Sequence, residues 1–128
     1  MQPHQLALSI VAGSFAVCRQ SPQSPVPSWA TPDGFLAIVR TTEELSIVCV
    51  EQAVPPGVTC QRGWRGLKVV GPLDFALTGV LASLASPLAE AGVSIFAIST
   101  FDTDYLLVRE EQLDGAIEAL RRVGHTVA

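Results

Sequence analysis

The sequence lacks the features that mark nucleic-acid-binding and membrane-spanning proteins. Its 128 residues include only eight Lys and Arg against twelve Asp and Glu, for a net charge of −4, and the one adjacent basic pair is Arg121-Arg122. Without a basic cluster, no nucleic-acid partner is expected. No apolar run approaches the ~18 residues of a membrane span, so no membrane association is expected. The apolar stretch 6–17 follows no Lys or Arg, which favours core strands over a signal peptide.

Metal ligands and disulfide spacings are equally scarce. Cys18, Cys49 and Cys60 are odd in number and show no Cys-x-x-Cys spacing, and only His4 and His125 could join them. Neither a metal site nor a disulfide framework is therefore expected. Three reduced thiols are typical of a cytoplasmic protein.

Catalytic motifs are also missing. The sequence contains no Gly-x-Ser-x-Gly elbow, no phosphate-binding loop and no Gly-x-Gly-x-x-Gly turn. Two carboxylates lie close together at Asp102 and Asp104, but no motif brings a His or Lys beside them. Because no nucleophile and base can be paired, we assign no catalytic residue, expect no cofactor and predict that the protein is not an enzyme.

Apolar residues, in contrast, are abundant. They make up 48% of the chain, and the mean hydropathy is +0.39. A domain of this length leaves much of its surface exposed. Some of the apolar surface is therefore expected to be covered by a partner, and a homodimer is the simplest arrangement.

A weak internal repeat appears in the sequence, in which matching residues are 60 positions apart without a gap. It divides the chain into two copies, near 1–62 and 63–128. The matches include Phe15-Ala16 over Phe75-Ala76, Ala37-Ile38 over Ala97-Ile98, Glu44 to Val48 over Asp104 to Val108, and Glu51-Gln52 over Glu111-Gln112.

The second copy has the pattern of a complete α+β domain. Leu77, Leu81, Leu84 and Leu88 lie on one face of a helix, and Gly92 is placed to end it; Pro87 should kink it or loosen its last turn. A second helix, with Leu113, Ala116, Ile117 and Leu120, closes at Gly124. With strands near 65–70, 93–99, 104–108 and 125–127, the order predicts a ferredoxin-like βαββαβ fold, an antiparallel sheet with helices on one face.

The first copy is predicted to keep its strands and to lose its helices. Four prolines between Cys18 and Gly34 exclude a regular helix, and Pro55-Pro56-Gly57 replaces the second one. Apolar runs place strands near 5–11, 14–19, 35–40 and 45–50. Residues 1–62 are therefore interpreted as a degenerate, β-rich half and 63–128 as the complete domain.

Three segments carry a family resemblance: Gly71 to Phe75, Ser86 to Gly92 and Val93 to Tyr105. Together they resemble an ACT domain of the aspartokinase-like subgroup, which includes stand-alone bacterial proteins and the ACT modules of the eukaryotic cytosolic arginine sensor. Arg40 to Cys49 also resembles the first half of the stand-alone proteins. The resemblance implies a regulatory protein that binds a small molecule, usually an amino acid, at an interface between ACT units.

The resemblance also implies where the ligand binds. One part of the pocket is the turn before the first helix, with Leu73, Asp74, Phe75, Leu77, Thr78 and Gly79. Another is the edge of the second strand, with Val93, Ser94, Ile95 and Phe96. In the arginine-sensor branch, the segment here running from Ser99 to Asp104 also lines the pocket, which adds Thr100, Phe101 and Asp104 to the candidate ligand-binding residues.

Elementary chemistry allows both a ligand and a structural role for these residues. Free N–H groups at the helix start favour a carboxylate, but Asp74 or Thr78 could simply cap the helix. Asp102 and Asp104 favour a cation, but an ordinary hairpin turn has the same composition. Phe101 is interpreted as core rather than as a pocket wall.

The sequence thus predicts a cytoplasmic, non-catalytic regulatory protein that binds an amino acid or a similar zwitterion. The alternative is a protein-interaction module whose ligand site has decayed. The two differ in whether Asp74→Ala and Asp104→Ala leave partner binding intact.

Overall fold

A computed structural model describes residues 5–73 and 78–128. The chain forms two compact units. The first, here called the helical unit, combines Met1–Val11 with Arg65–Ala128, and the second, the β unit, is Ala12–Trp64. The strands are β1 (Ala7–Gln20), β2 (Ala37–Arg40), β3 (Leu45–Val50), β4 (Cys60–Val69), β5 (Ile95–Ser99), β6 (Asp104–Arg109) and β7 (Thr126–Val127); the helices are α1 (Val80–Glu90) and α2 (Leu113–Arg122), and 3-10 turns occupy Glu51–Ala53 and Glu110–Gln112.

The helical unit has the predicted order of strand, helix, strand, strand, helix and strand, from β4 to β7. Its α+β class is therefore confirmed. Both helices pack on one face of the sheet, because their apolar stripes share a single core with the strands. That core includes Leu67 and Val69 of β4, Leu106 and Val108 of β6, Leu84 and Leu88 of α1, and Ala116 and Leu120 of α2.

The sheet of the helical unit contains one strand more than the βαββαβ pattern supplies. Its order is β7-β1-β4-β6-β5, so the start of β1 lies between the last and first strands of the pattern. β7 pairs with β1 in parallel, with Leu8 opposite Val127. The Thr126 N–H donates to Leu6 O at 2.9 Å, and the Val70 N–H donates to Ala7 O at 2.8 Å. The start of β1 thus completes the sheet of the helical unit by pairing with both β7 and β4.

Both helices end as the glycine positions predict. After α1, Gly92 has a φ of +75°, and the Val93 N–H donates to Leu88 O at 2.9 Å. After α2, Gly124 has a φ of +101°, and the His125 N–H donates to Leu120 O at 3.1 Å. Each end is a Schellman motif, in which a left-handed glycine lets the chain satisfy the last carbonyls.

The proline inside α1 is compensated by a buried histidine. Pro87 has no N–H for the carbonyl of Ser83, four residues earlier. The His125 ring, only 3% exposed, places Nε2 at 3.0 Å from that carbonyl, and its Nδ1 accepts the Leu6 N–H at 3.0 Å. The ring is therefore neutral and carries its proton on Nε2, since one nitrogen must donate and the other accept.

The β unit arranges its strands in the order β2-β3-β1-β4. β1 pairs with β3 in antiparallel fashion from Phe15 opposite Val50 to Gln20 opposite Leu45. In residues 12–64, all of them described, no segment is α-helical. The apolar strand face, with Ala16, Cys18, Leu45, Ile47 and Cys49, is instead covered by Trp29, Ala30, Leu36 and Val58 from the loops.

Two strand predictions need correction. The segments near 5–11 and 14–19 form one strand, β1, rather than two. Gly13 lies between the two predicted segments, and its φ of +91° is in the region open to glycine, so the chain passes through without leaving the sheet. The segment near 35–40 forms a shorter strand that starts at Ala37.

The repeat also has a different spacing in the structure. β3 begins at Leu45 and β6 at Asp104, 59 residues later, and the 3-10 turns that follow begin at Glu51 and Glu110, again 59 residues apart. The residues matched between the two copies in the sequence are 60 positions apart. The predicted division at 62/63 falls close to the 64/65 boundary of the β unit, but the described residues before Ala12, 5–11, belong to the helical unit.

Candidate functional site

The turn between β5 and β6 forms one side of the candidate site. Ser99 pairs with Asp104 at the base of this hairpin. The Thr100 N–H donates to Thr103 O at 2.8 Å, and the Thr100 hydroxyl donates to the same carbonyl at 2.9 Å. The Thr103 N–H lies 3.3 Å from the Thr100 hydroxyl oxygen. The turn is therefore held by side-chain and backbone bonds together, as Thr in tight turns allows.

Two further bonds fix this turn to the end of β4 and to the segment that follows it. The buried Thr103 hydroxyl, on a residue only 4% exposed, donates to Val69 O at 2.6 Å. The Leu73 N–H donates to Asp102 O at 2.7 Å. Gly71 lies in the same contact, where a Cβ atom would come within 3.1 Å of Asp102 O. The two segments that the sequence analysis singled out thus meet at Leu73 and Asp102.

A cavity of about 250 Å³ opens beside these bonds. It carries one cationic and one anionic side chain, those of Lys68 and Asp102, together with Gly71, Pro72 and Thr103. Lys68 is half-buried on β4, and its Nζ lies 6.0 Å from the centre of the Tyr105 ring. The arrangement offers opposite charges to a small polar molecule within one concave surface.

The predicted turn before α1 is described only in part. Asp74, Phe75 and Leu77 lie outside the described residues. Leu73 is half-buried and packs against the core. Thr78 and Gly79 are exposed, and Gly79 is the N-cap of α1, with a φ of +77° and no side chain to offer the helix. The described helix begins at Val80, three residues after the predicted start.

The predicted strand-edge residues divide by exposure. Val93 is buried in the core of the helical unit, and Ile95 packs against it. Ser94 is exposed and Phe96 is half-buried. Phe96 lies opposite Leu107, whereas Ile95 lies opposite Val108 of the core, so Phe96 is on the sheet face away from the helices. Val93 and Ile95 are thus structural residues of the core.

The hairpin candidates also differ from one another. Phe101 is 78% exposed, so its interpretation as a core residue is wrong: it lies at the tip of a four-residue turn whose backbone points it outward. Thr100 and Asp102 are exposed, and Asp104 is half-buried at the start of β6. Of the two carboxylates, Asp102 is the one that lines the cavity.

Lys68 and Thr103 were missed by the sequence analysis. A Lys inside a strand is usually a solvated residue, and a Thr in a hairpin is explained by turn chemistry alone. The alternation of Leu67, Lys68 and Val69 is a local signal that puts Lys68 on the face opposite the core, but only the tertiary fold brings the hairpin turn next to it.

Within 5–73 and 78–128, no group of three or more His, Cys, Asp or Glu side chains is arranged to hold a metal ion. In the same ranges, no helix has the length and apolar content needed to cross a membrane.

Among curated proteins, the chain is similar to the cytosolic arginine sensor for mTORC1 subunit 1. The mouse protein is 31% identical over 108 residues, which cover 80% of this chain and 31% of the sensor. The human protein is 43% identical over 60 residues, 46% of this chain and 18% of the sensor. This chain therefore spans less than a third of the length of these curated relatives.

Solved structures show the same fold. Atu0741 from Agobacterium tumefaciens is 40% identical with a TM-score of 0.93, and the match covers 98% of this chain and 93% of that one. The regulatory subunit of aspartate kinase from Thermus thermophilus, 13% identical, reaches a TM-score of 0.63 over 91% of this chain and 95% of that one. The aspartokinase-like regulatory fold is thereby confirmed.

Two family models divide the sequence between them. One, for an N-terminal domain, matches residues 13–57. The other is that of the ACT domain, and it matches residues 59–122, half of the chain. The chain belongs to the ACT domain family.

Proposed function

We propose that this protein is a non-catalytic regulatory protein that binds an amino acid or a similar zwitterion beside the β5–β6 turn. The observation that carries the proposal is the cavity with Lys68 and Asp102 on its walls. A free amino acid carries one carboxylate and one ammonium group, so a pocket with one side chain of each sign is complementary to it.

The helix that follows this segment in the chain supports the same ligand class. The chain leaves the cavity at Pro72 and enters α1 at Val80. The first N–H groups of a helix favour an anion, and the N-cap residue Gly79 leaves room for close approach. In this arrangement Lys68 and the start of α1 attract the carboxylate, while Asp102 and Asp104 attract the ammonium group or a basic side chain.

The family relationship supports a regulatory role. Relatives are named as an arginine sensor and as the regulatory subunit of a kinase. We therefore choose arginine as the first ligand to test, because its guanidinium could pair with a carboxylate of the hairpin in the bidentate manner that Arg favours. A cytoplasmic location is part of the proposal.

Calorimetric titration of the purified protein with arginine, lysine, aspartate and the other common amino acids tests the proposal. At about a hundred times its Kd, a ligand specific for the folded state adds ~2.7 kcal/mol to the free energy of unfolding. We expect one amino acid to give saturable heat and a matching rise in Tm. If none does, the ligand-binding function is rejected.

Lys68→Met and Asp102→Asn locate the site. Each removes one charge while nearly keeping the side-chain volume, and each should weaken binding by about 10- to 100-fold, the cost of losing a hydrogen bond to a charged group. Arg122→Gln is the matched control, because it removes a charge from an exposed pair with Glu118 on α2. Equal affinity in all three variants would place the ligand elsewhere.

A protein-contact role is the second candidate, and the exposed aromatic ring of Phe101 favours it. Exposed aromatic side chains often anchor protein interfaces. The expected partner is a second copy of the chain, which could also complete the ligand site. Phe101→Ser should then convert a dimer to a monomer in analytical ultracentrifugation, and a wild-type protein that is monomeric at all concentrations would exclude this role.

A further inference from the structure

The three cysteines meet in one apolar cluster of the β unit. Cys18 lies on β1, Cys49 on β3 and Cys60 at the start of β4, and β1 is the strand between the other two. All three side chains belong to the same cluster and are free thiols. Widely separated sequence positions, with no motif to connect them, are thus brought together by the order of the strands.

The pairing register selects Cys18 and Cys60 as the pair suited to a covalent bond. The Arg19 N–H donates to Thr59 O at 3.0 Å, which makes the next pair along the antiparallel strands, Cys18 and Cys60, a non-hydrogen-bonded pair. Such residues have Cα atoms about 4.5 Å apart, within the range of ~4.4–6.8 Å found for disulfides. Cys60 also contributes to the raised pKa of the Cys18 thiol, as expected of neighbouring thiols.

Cys49 is less well placed for the same bond. It lies opposite Ala16, while Cys18 lies opposite Ile47, so Cys18 and Cys49 are diagonal neighbours. Diagonal residues in an antiparallel pair are about 7–8 Å apart, beyond what a disulfide spans without backbone movement. Cys49 contacts Cys18 but should not be linked to it.

The two thiols of the selected pair differ in access. Cys18 is 1% exposed, and burial, followed by the neighbouring Cys49 and Cys60, raises its pKa to about 12. Cys60 is half-buried, and the residue before it, Thr59, lines an open groove of about 500 Å³ together with Arg19, Ser21 and Gly57. Cys60 is therefore the thiol that a dissolved oxidant reaches first.

We propose that Cys18 and Cys60 form a reversible intramolecular disulfide, with a small-molecule disulfide as the oxidant. The Cys60 thiolate attacks one sulfur of the oxidant, breaks its S–S bond and releases one thiol. The Cys18 thiolate then attacks the Cys60 sulfur of the mixed disulfide and releases the second thiol. The protein loses two electrons and two protons, and the oxidant is reduced to two thiols that take up those protons.

The test begins with the reduced wild-type protein and oxidised glutathione in excess. Over minutes to hours, the timescale of uncatalysed exchange, the intact mass should fall by two hydrogen atoms, and only one alkylatable thiol should remain. Peptide mapping should join residues 18 and 60. Because the bond closes a loop of about 40 residues, Tm should rise by several degrees and return on addition of a reductant.

Three variants identify the pair. Cys49→Ala should still form the bond, whereas Cys18→Ala and Cys60→Ser should not, and Cys49→Ala is the matched control for loss of a buried thiol. The proposal is overturned if the wild-type protein keeps three alkylatable thiols, accumulates a stable glutathione adduct, links residues 18 and 49, or forms disulfide dimers. Each of these results is read from the intact mass or the peptide map of the wild-type protein, so it does not depend on the folding of a variant.

Discussion

In the helical unit the sheet is covered by α1 and α2, whereas in the β unit it is covered by loops rich in proline. Both units nevertheless build a similar hairpin. The turn between β2 and β3 begins with Thr41, whose N–H donates to Glu44 O at 2.9 Å, and the turn between β5 and β6 begins with Thr100 and closes in the same way. A 3-10 turn follows each hairpin. The hairpin is thus shared, and the covering layer is what differs.

The difference teaches that a strand face needs apolar cover rather than a helix as such. Trp29, Ala30 and Leu36 supply that cover from a segment in which proline excludes a helix. An irregular segment leaves its covering residues more exposed than a helix does: Leu84 and Leu88 of α1 are fully buried, while Trp29 and Leu36 are half-buried. The helical cover should therefore contribute more stability per side chain.

Truncation of one covering residue in each unit tests this comparison. Leu84→Ala should lower the free energy of unfolding by about 3–4 kcal/mol, because it removes buried methyl groups and leaves a cavity. Trp29→Ala should cost ~2 kcal/mol, since its larger side chain is only partly removed from water. Urea unfolding measures both. An equal or larger loss for Trp29→Ala would show that the loop cover is as well packed as the helices.

Loss of the two hydrogen bonds of the His125 ring should have the next largest effect on stability. His125→Ala leaves the Leu6 N–H and the Ser83 carbonyl without their partner and should cost ~2–3 kcal/mol. In a Pro87→Ala background the new N–H at residue 87 can bond to Ser83 O, so the same change should cost ~1 kcal/mol less. A double-mutant cycle by urea unfolding measures this coupling. Additive effects would mean that His125 does not compensate for the proline.

The two hairpins allow a third comparison. Thr103→Val removes the hydroxyl that donates to Val69 O in a buried setting and should cost about 1–2 kcal/mol, while Thr103→Ser should restore most of the loss. Thr41 corresponds to Thr100, and its hydroxyl accepts the Glu44 N–H within an exposed turn, where water can replace the bond, so Thr41→Val should cost ~0.5 kcal/mol or less. Thermal unfolding of the three variants shows whether the threonine hydroxyls stabilise the two hairpins by different amounts.

Much of the helical unit was predictable because helical spacing is unambiguous. Leu84 and Leu88 recur with the period of a helix, and Gly92 and Gly124 are placed where a left-handed residue ends one. The strands were harder to align. In β6 three successive residues, Leu106 to Val108, are all buried. No alternation of buried and exposed residues therefore fixed the alignment of the two copies, and matching residue types gave an offset of 60 instead of 59. A slip of one residue exchanges the two faces of a strand.

The candidate site was predictable only in its outline. The contact between Leu73 and Asp102 joins two segments that the sequence had singled out separately. The role of Lys68 depends on tertiary neighbours, which no local pattern reports. The thiol cluster shows the same limit, since the spacing of Cys18, Cys49 and Cys60 has no meaning until the strand order is known.

Glycine substitutions in the helical unit test the smallest effects, and here the sign matters more than the size. Gly92→Ala places a side chain at a φ of +75°, which should cost about 1 kcal/mol although nothing lies within 4 Å of its Cβ position. Gly115→Ala lies inside α2 with equally open space and should add about 0.5–1 kcal/mol by favouring the helix. Two substitutions with the same chemistry and the same free space should therefore shift the urea midpoint in opposite directions. A shift in the same direction would mean that the left-handed position after α1 is not strained by a side chain, and that the Schellman motif rather than its glycine ends the helix.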